Sequence, residues 1–425
     1  MRVQQLNLVN FRNHQQLDLS FTSPLVIIVG DNAVGKTNLI EALQLLSMQE
    51  SFRRPGWREL VRWQSVPSDP CRITMHYNLP TGVPAHIALR IADGKRAFFH
   101  NDKKRGGVEL AGMVPAALFS PDDLELAKGQ PALRRDLIDG LGARLSRTFA
   151  SIRRDYRRSL QQKNLLLRLD APDLRVLESW NQRVAALGAS LFVHRLGLYR
   201  QLFSNAATIY GHLSGGEQLA AHYWPTHSSA CLVAPHGSEP CLPHNGEDSE
   251  SRMPHNGEIR TLQEDGRPTA NESPENGTPP DRCEAREHNT IAAVQTQLEA
   301  AIADNWQREK AAHRALIGPH KDRIDLLING RDARHFGSQG QQRGVALALK
   351  MAEIVVLKEV TGAQPMLLLD DVMSELDAGR REQLLKLLNN DTQTFITTTN
   401  LNYFDQQTLQ RAQLLRLPYE AEQAG

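Results

Sequence analysis

Residues 30–37 read Gly30-Asp31-Asn32-Ala33-Val34-Gly35-Lys36-Thr37. They follow the apolar run of residues 25–29, which is typical of a buried strand, and they precede residues 38–46, whose apolar side chains have helical spacing. A strand, a glycine loop and a helix in this order form a P-loop, because the glycines let backbone N–H groups close around a phosphate and the helix N-terminus attracts negative charge. An ordinary glycine turn is the alternative, but it does not require the Gly-Lys-Thr ending. The stretch therefore predicts a nucleotide-binding site.

The loop residues receive separate predicted roles. Lys36 is expected to reach the β- and γ-phosphates and to act in catalysis, and the Thr37 hydroxyl is expected to bind Mg²⁺. The residues predicted to cradle the nucleotide are Gly30, Asp31, Asn32, Ala33, Val34, Gly35, Lys36 and Thr37.

The other half of the magnesium site is predicted far along the chain. Residues 366–369 are apolar and end in Asp370-Asp371, which is typical of a Walker B strand. The Asp370 carboxylate is expected to hold Mg²⁺ opposite Thr37, and Asp371 is expected to orient or polarise the attacking water. Since most of the chain separates the two motifs, the intervening segments are predicted to be inserted into one nucleotide domain.

A turn rich in glycine and glutamine precedes the last long apolar helix, and we name residues 336–343 the signature turn. Its Ser338 hydroxyl and the N–H groups at the helix N-terminus form an anion site suited to the γ-phosphate of a facing copy. An ordinary helix cap is the alternative. Residues 213–218, the glycine-pair turn, match the transporter signature Leu-Ser-Gly-Gly-Gln more literally, but they lie far upstream of Asp370 and are interpreted as a loop.

Length and composition favour a globular protein of several domains. The 425 residues are 40% hydrophobic and 23% charged, as in soluble proteins. Because no apolar run reaches the roughly 18 residues of a membrane helix and residues 1–6 lack the features of a secretory signal, a cytoplasmic protein is expected. The four cysteines have no metal-ligand spacing and are expected to be reduced.

The net charge of +1 conceals an asymmetry. Residues 236–285 contain eleven acidic residues against four arginines, so the remainder of the chain is basic. Residues 131–170 contain ten Lys or Arg against four Asp, including Arg153-Arg154 and Arg157-Arg158. A solvated helix face and a surface that contacts phosphates both explain this run.

Apolar periodicity divides the chain. Residues 1–30 and 72–99 alternate as strands, which predicts an antiparallel sheet added to the nucleotide domain, whereas stripes from Leu137 to Leu160 and from Leu177 to Leu202 predict two long antiparallel helices. Residues 225–289 lose this periodicity and predict a disordered insertion. The predicted organisation is an ATPase head in two parts (1–119 and 317–425), a helical lobe in two parts (120–224 and 290–316) and the insertion (225–289).

The order of these motifs resembles the RecF family of bacterial DNA replication and repair ATPases, which are relatives of the structural-maintenance-of-chromosomes (SMC) head domains. Two departures from the family pattern are Lys321-Asp322-Arg323, where Arg-Asp-Asp is usual, and Gly344, where Thr is usual. The insertion is a third departure. The stretches that carry the resemblance are residues 8–14, the P-loop, residues 119–124, residues 318–322, residues 338–343 and residues 367–377.

The resemblance implies an α/β fold, namely an ABC-type P-loop ATPase head with an added antiparallel sheet and an inserted α-helical lobe II. It implies ATP and Mg²⁺ as cofactors, weak DNA-stimulated ATPase activity and an ATP-dependent homodimer that binds single-stranded DNA, duplexes or gap junctions. RecO and RecR are the implied partners in recombinase loading and the SOS response. It also implies nucleotide contacts by Arg12, Gly340 and Gln341 and a γ-phosphate contact in trans by Ser338.

Other classes of protein remain as alternatives. A transporter ATPase subunit is disfavoured because no switch histidine or membrane-coupling loop can be assigned, and residues 397–399 are threonines. An SMC-like tether needs far longer coiled-coil arms. A P-loop kinase or nuclease would not need Ser338 and Gly340. The sequence therefore favours a DNA-binding ATPase switch.

Overall fold

The structure is a computed structural model, and it describes residues 2–53, 55–65, 69–79, 81–110, 112–228, 231–234, 281–387 and 392–418. Most of the predicted insertion, residues 235–280, lies outside these described residues. Among the described residues, no helix combines the length and the apolar character that crossing a bilayer requires.

The β-strands of the described chain form a parallel sheet, a large antiparallel sheet and a small antiparallel sheet. In chain order the strands are β1 (Arg2–Phe11), β2 (His14–Ser20), β3 (Leu25–Gly30), β4 (Cys71–Asn78), β5 (Pro84–Ala92), β6 (Lys95–His100), β7 (Lys103–Arg105), β8 (Ala116–Phe119), β9 (Leu219–Trp224), β10 (Leu232–Ala234), β11 (Arg323–Ile328), β12 (Arg331–Asp332), β13 (Met366–Asp370), β14 (Thr394–Thr398) and β15 (Gln413–Leu417).

Along the chain, most of the α-helices occur between one strand of the parallel sheet and the next. In chain order they are α1 (Lys36–Met48), α2 (Gly107–Leu110), α3 (Glu125–Lys128), α4 (Pro131–Leu145), α5 (Arg147–Leu167), α6 (Leu174–Ser214), α7 (Asp281–Asp304), α8 (Trp306–Ala311), α9 (Ala333–Phe336), α10 (Gln339–Thr361), α11 (Ala378–Leu387) and α12 (Gln406–Arg411).

The parallel sheet has the strand order β15-β3-β14-β13-β8 and holds the nucleotide motifs. Strands β3, β8 and β13 are nearly continuous apolar runs, because both faces of a parallel sheet are covered. Alternate residues enter two different cores: Leu25 and Ile27 pack on the side of α10, whereas Val26 and Ile28 pack on the side of α1. This confirms the predicted α/β head.

The added antiparallel sheet has the order β2-β1-β4-β5-β6-β7. Its strands alternate between buried apolar and exposed residues, as the sequence predicted, and its apolar face shares one core with α1. The pairing of β1 with β4 shows that the N-terminal strands and residues 71–92 belong to one sheet.

The helical lobe differs from the predicted pair of long helices. The stripe from Leu137 to Leu160 is interrupted at Ser146, whose extended backbone ends α4 and whose hydroxyl accepts the Phe149 N–H at 3.2 Å to begin α5. The second stripe is a single helix, α6, of 41 residues. Apolar spacing did not reveal the break because the residues on both sides of Ser146 still face apolar clusters.

The small sheet, β10-β9-β11-β12, corrects the boundary of the predicted insertion. Strand β10 pairs with β9, and Ala234 is buried in the main core. Thr226 is also ordered, since its N–H donates to an Asp322 carboxylate oxygen at 2.9 Å and its hydroxyl accepts the Gly318 N–H at 2.8 Å. The described residues 225–228 and 231–234 are therefore part of the fold, and helix α7 begins at Asp281, eight residues before the predicted end.

The motif at residues 318–322 lies in the interior of the lobe, where it meets the buried guanidinium of Arg195. Arg195 donates to both Asp139 carboxylate oxygens at 2.8 and 3.0 Å and to the Pro319 carbonyl at 2.6 Å. Tyr223 donates to Asp322 at 2.6 Å. This network joins α4, α6, β9 and the start of β11. Asp322 therefore has a structural role, because its carboxylate accepts hydrogen bonds from Tyr223 and Thr226 inside the lobe.

Candidate nucleotide and signature site

Three strands of the parallel sheet end at the same edge. The P-loop follows β3, the acidic pair Asp370-Asp371 follows β13, and β14 lies between these two strands. Because parallel strands share their direction, their carboxyl ends bring together groups that are distant in sequence.

The backbone of the P-loop requires glycine at Gly35. Its φ is 107°, and a Cβ atom there would lie 2.7 Å from the side-chain amide atoms of Asn13 and 2.8 Å from Nε2 of His14. A side chain at Gly30 would approach the Leu417 carbonyl oxygen to 2.6 Å. The loop is thus closely packed against β1–β2 on one side and β15 on the other.

The Lys36 side chain is buried inside the loop that it follows. Its ammonium donates to the carbonyl oxygens of Gly30 and Asp31, each at 2.8 Å. Within the described chain, no side chain caps the N-terminus of α1, so its first N–H groups have no competing carboxylate or hydroxyl. A cation beside an uncapped helix N-terminus is the arrangement that binds phosphate.

Thr37 and Asp370 meet as the sequence predicted. The Thr37 hydroxyl donates to an Asp370 carboxylate oxygen at 2.9 Å, and the Thr397 hydroxyl donates to the same oxygen at 2.8 Å. Burial raises the pKa of Asp370, while the two hydroxyls oppose this shift. A hydroxyl and a carboxylate oxygen at this distance are ligands that suit Mg²⁺. Among the described residues, no group of three or more His, Cys, Asp or Glu is arranged to hold a metal ion.

Asp371 has different surroundings from its neighbour. Its backbone is left-handed, with a φ of 53°, and its N–H donates to the Thr397 hydroxyl at 2.9 Å. The buried Oδ1 atom of Asp371 has no hydrogen-bond partner among the described residues. Burial raises the pKa of Asp371, and the Lys36 ammonium opposes this shift. A strained residue with an unpartnered carboxylate oxygen beside a phosphate site is suited to act on water.

The signature turn ends at the first turn of α10. Ser338 and Gln341 form a capping box, in which the Ser338 hydroxyl accepts the Gln341 N–H at 3.2 Å and the Gln341 Oε1 accepts the Ser338 N–H at 2.8 Å. Ser338 is exposed. Gly340 lies beside Arg380, whose Nη1 would be 3.2 Å from a Cβ atom there. Within the described residues, the side-chain bonds of Ser338 and Gln341 run to each other and to Glu217 rather than to the P-loop of the same chain.

Arg12, predicted as a nucleotide contact, is engaged with another side chain. Its guanidinium donates to both carboxylate oxygens of the buried Glu41 at 2.9 and 2.7 Å, and to the Glu59 carbonyl at 2.9 Å. Arg12 nevertheless lines a cavity of about 1120 Å³ beside the P-loop. It shapes that cavity while its charge is balanced by Glu41.

Several polar residues of this cavity escaped the sequence analysis. Asn13 donates to the Val34 carbonyl at 3.1 Å and accepts from Asn38 at 2.7 Å, and Arg53 donates to Asn38 at 2.9 Å. Asn13 lies within the quoted stretch 8–14, which offered a signal, but nothing local indicated that Arg53 returns to the start of α1. Thr397 was noted only as the replacement for a switch histidine.

The glycine-pair turn is a helix end rather than a free loop. Leu213 and Ser214 are the last residues of α6, and Gly215 and Gly216 follow with φ values of 74° and 112°. These left-handed values favour glycine. The likeness to a transporter signature therefore comes from a helix C-terminus, whereas a signature requires a helix N-terminus.

These features define the class of protein: an ABC-type P-loop ATPase head with a helical lobe inserted in it. A family model described as "RecF/RecN/SMC N terminal domain" matches residues 2–417. The chain belongs to this family.

Relatives and solved structures agree with this assignment. The chain is 33% identical over 419 residues to the "DNA replication and repair protein RecF" of Synechococcus sp. (strain JA-3-3Ab), which covers 97% of this chain and 95% of the relative. It is similar to the solved "recombination mediator protein RecF-ATPrS in RecFOR pathway", with a TM-score of 0.75 and 25% identity over 95% of this chain and 94% of the other. A second structure, of RecF-ATP in the same pathway, gives a TM-score of 0.74 and 26% identity, and covers 95% of this chain and 93% of that one.

Proposed function

We propose that this chain is an ATP-driven switch of DNA replication and recombinational repair, in which ATP joins two copies on DNA and hydrolysis separates them. One observation carries the proposal. The P-loop, Thr37 and Asp370 assemble within one chain, whereas the exposed Ser338 turn is bonded away from that chain's own loop. A site that lacks its signature in cis is completed by a facing copy. The RecF names of the relatives support the setting in DNA repair.

In this proposal, each residue of the site has a separate role. The P-loop backbone and Lys36 bind the phosphates, and Ser338 with Gly340 and Gln341 contacts the γ-phosphate of the partner's nucleotide. Thr37 and Asp370 would hold Mg²⁺, which neutralises phosphate charge when bound. Asp371 takes the proton of the attacking water, since its pKa is raised by burial.

The DNA surface that we propose is a cleft between the head and the helical lobe, here named the basic cleft. It has a volume of about 760 Å³ and is lined by seven basic and five acidic residues, the basic ones including Arg96, Arg153, Arg154, Arg157 and Arg158. Arg154 and Arg157 are about half exposed, although acidic Asp136 lies nearby and pairs with Arg157 at 3.6 Å. Half-exposed guanidinium groups on one helix suit phosphate contacts.

The helical lobe supports this proposal over the alternatives. Helices α5 and α6 are 21 and 41 residues long, which is short for an SMC-like tether. We propose residues 120–224 and 290–316 as lobe II. By family resemblance we also propose RecR and RecO as partners, a cytoplasmic location and a slow ATPase activity that DNA stimulates.

The proposal is tested by replacing the signature serine. We expect Ser338→Arg to leave ATP binding by single copies intact and to abolish ATP-dependent dimers, because a bulky cation blocks the turn. The control is Ser179→Arg, which adds the same side chain to an exposed serine of α6. Lys36→Met is expected to lose ATP binding itself.

Light scattering and DNA binding give the readouts. Wild-type protein should dimerise with ATP and bind DNA more tightly with ATP than without it. Its affinity should fall with salt by a slope of about 0.7–0.9 per phosphate contact. ATP binding lost in Ser338→Arg, or dimers kept by it, would contradict the contact in trans. DNA affinity independent of ATP would contradict the switch.

A further inference from the structure

The glycine-pair turn places one acidic side chain against the signature turn. Gly215 and Gly216 end α6 and reverse the chain, and the next residue is Glu217. One Glu217 carboxylate oxygen accepts the Gln341 side-chain N–H at 2.6 Å. The other accepts the Tyr210 hydroxyl at 2.6 Å. Glu217 is thus bonded to both long helices, α6 and α10.

The two ends of the Gln341 amide have different partners. Its Nε2 donates to Glu217, and its Oε1 accepts the Ser338 backbone N–H at 2.8 Å. A reversed amide would place its oxygen against a carboxylate and its NH₂ group against an N–H, so the bonds fix its orientation. An acceptor that is ionised strengthens such a bond. The position of Ser338 therefore depends, through Gln341, on Glu217.

Glycine at position 344 of α10 leaves the space that this network occupies. A Cβ atom at Gly344 would lie 3.3 Å from the Tyr210 ring and 3.4 Å from Arg380 Nε. Gly344 is the position where the sequence departs from the family pattern. A larger residue there would press on the Tyr210 ring, whose hydroxyl bonds Glu217. Arg343 anchors the same helix end from the other side, donating to the Glu375 carbonyl at 2.6 Å.

We infer that Glu217 is a positioning residue: its carboxylate holds the Gln341 side chain, which keeps the Ser338 turn in the shape that meets the γ-phosphate of a facing copy. The inference rests on the proposed function. Glu217, which belongs to the glycine-pair turn, would then position the signature turn without itself contacting nucleotide.

The test compares Glu217→Ala with a matched variant on the same two helices. Glu359, near the C-terminal end of α10, accepts from Gln201 of α6 at 2.8 Å, so Glu359→Ala removes another Glu–Gln bond between these helices. Glu359 lies about 27 Å from Gln341 along α10. Glu217→Gln and Tyr210→Phe are the conservative variants.

We expect Glu217→Ala to weaken ATP-dependent dimerisation about tenfold, equivalent to about 1.4 kcal/mol, with unchanged ATP binding by single copies. Glu217→Gln should restore most of the loss, because its Oε1 still accepts from Gln341. The Gln341 backbone N–H donates to the Ser338 hydroxyl, and its hydrogen exchange should accelerate in Glu217→Ala and not in Glu359→Ala.

The outcomes separate this inference from the proposed function. Equal dimerisation and equal exchange in Glu217→Ala and Glu359→Ala would overturn the positioning role. Loss of ATP binding in Glu217→Ala would also overturn it, since the effect would not be confined to the signature. If wild-type protein stays monomeric with ATP, the proposed function fails, and hydrogen exchange still decides whether Glu217 orders the turn.

Discussion

Asp370 and Asp371 are adjacent in sequence, yet their carboxylates have opposite environments. Two hydroxyl groups donate to Asp370, whereas a buried oxygen of Asp371 has no partner among the described residues. The difference follows from the left-handed backbone of Asp371 at the end of β13. A left-handed backbone and an unpartnered carboxylate oxygen both cost stability, and such strained residues occur mostly at functional sites.

We predict that Asp371→Asn stabilises the protein at neutral pH while reducing ATP turnover about 100-fold, as expected on removal of a general base. Burial raises the pKa of Asp371 in the folded protein, so its ionisation opposes folding. This cost is absent below the unfolded pKa of about 3.9, grows as the pH rises to the folded pKa, and is complete above it. The melting temperature of Asp371→Asn should exceed that of wild type at pH 8, and the gap should close near pH 4.

Asp405 provides a control of opposite sign. It accepts the Thr408 N–H at 2.6 Å at the start of α12, and this bond lowers its pKa. Asp405→Asn should therefore reduce stability at neutral pH and have no effect in acid. If Asp371→Asn lowers the melting temperature at pH 8, as Asp405→Asn is expected to do, the assigned role of burial at Asp371 is wrong.

At the scale of elements, one buried arginine connects the parts of the helical lobe. Arg195 of α6 binds Asp139 of α4 and the Pro319 carbonyl, and it donates to the Tyr223 hydroxyl of β9 at 3.1 Å. Burial opposes the charge of Arg195, but Asp139, Tyr223 and Asp322 together outweigh burial and raise the pKa of Arg195.

We predict that Arg195→Met destabilises the protein by about 3–5 kcal/mol, because it leaves the buried Asp139 carboxylate with only the longer contact to Arg153 Nε at 3.8 Å. Arg200→Met, at an exposed position of the same helix, should change stability by less than about 0.5 kcal/mol. Urea unfolding followed by circular dichroism measures both. Similar midpoints for the two variants would show that the bonds of Arg195 to Asp139 and Pro319 contribute little to stability.

At the scale of the whole molecule, the chain leaves the head after β8 and returns to it at α10 and β13. Strand β13 pairs with β8 on one side and with β14 on the other, so the lobe is inserted between neighbouring strands of one sheet. The described ends of the predicted insertion, residues 225–228, 231–234 and 281–289, belong to the fold.

We predict that the boundary of a deletion decides its effect. Replacing residues 235–280 by a short Gly/Ser linker should change the melting temperature by less than about 2 °C, since a segment so rich in Pro, Gly, Ser, Asn and Glu has little apolar surface to bury. Replacing residues 225–289 should lower it by about 5 °C or more, because Asp322 loses the Thr226 bonds and β9 loses β10. Equal melting temperatures would show that β10 contributes nothing to the fold.

Local sequence was sufficient for features that depend on near neighbours. The P-loop, the strand that ends in Asp370, and the helix start at Ser338 each need a few residue types in a fixed order, and those residue types set the local backbone conformation. The alternation of β1 and β4 likewise predicted a sheet with one buried face.

The sequence by itself determined the class of head, its nucleotide loop and the existence of a helical lobe. Only the tertiary structure decided that α4 and α5 are separate, that Arg12 is neutralised by Glu41, and that Glu217 reaches Gln341. These features join residues far apart in the chain. Their partners are chosen by burial and by the need to satisfy charges in the interior, and no local pattern records that choice.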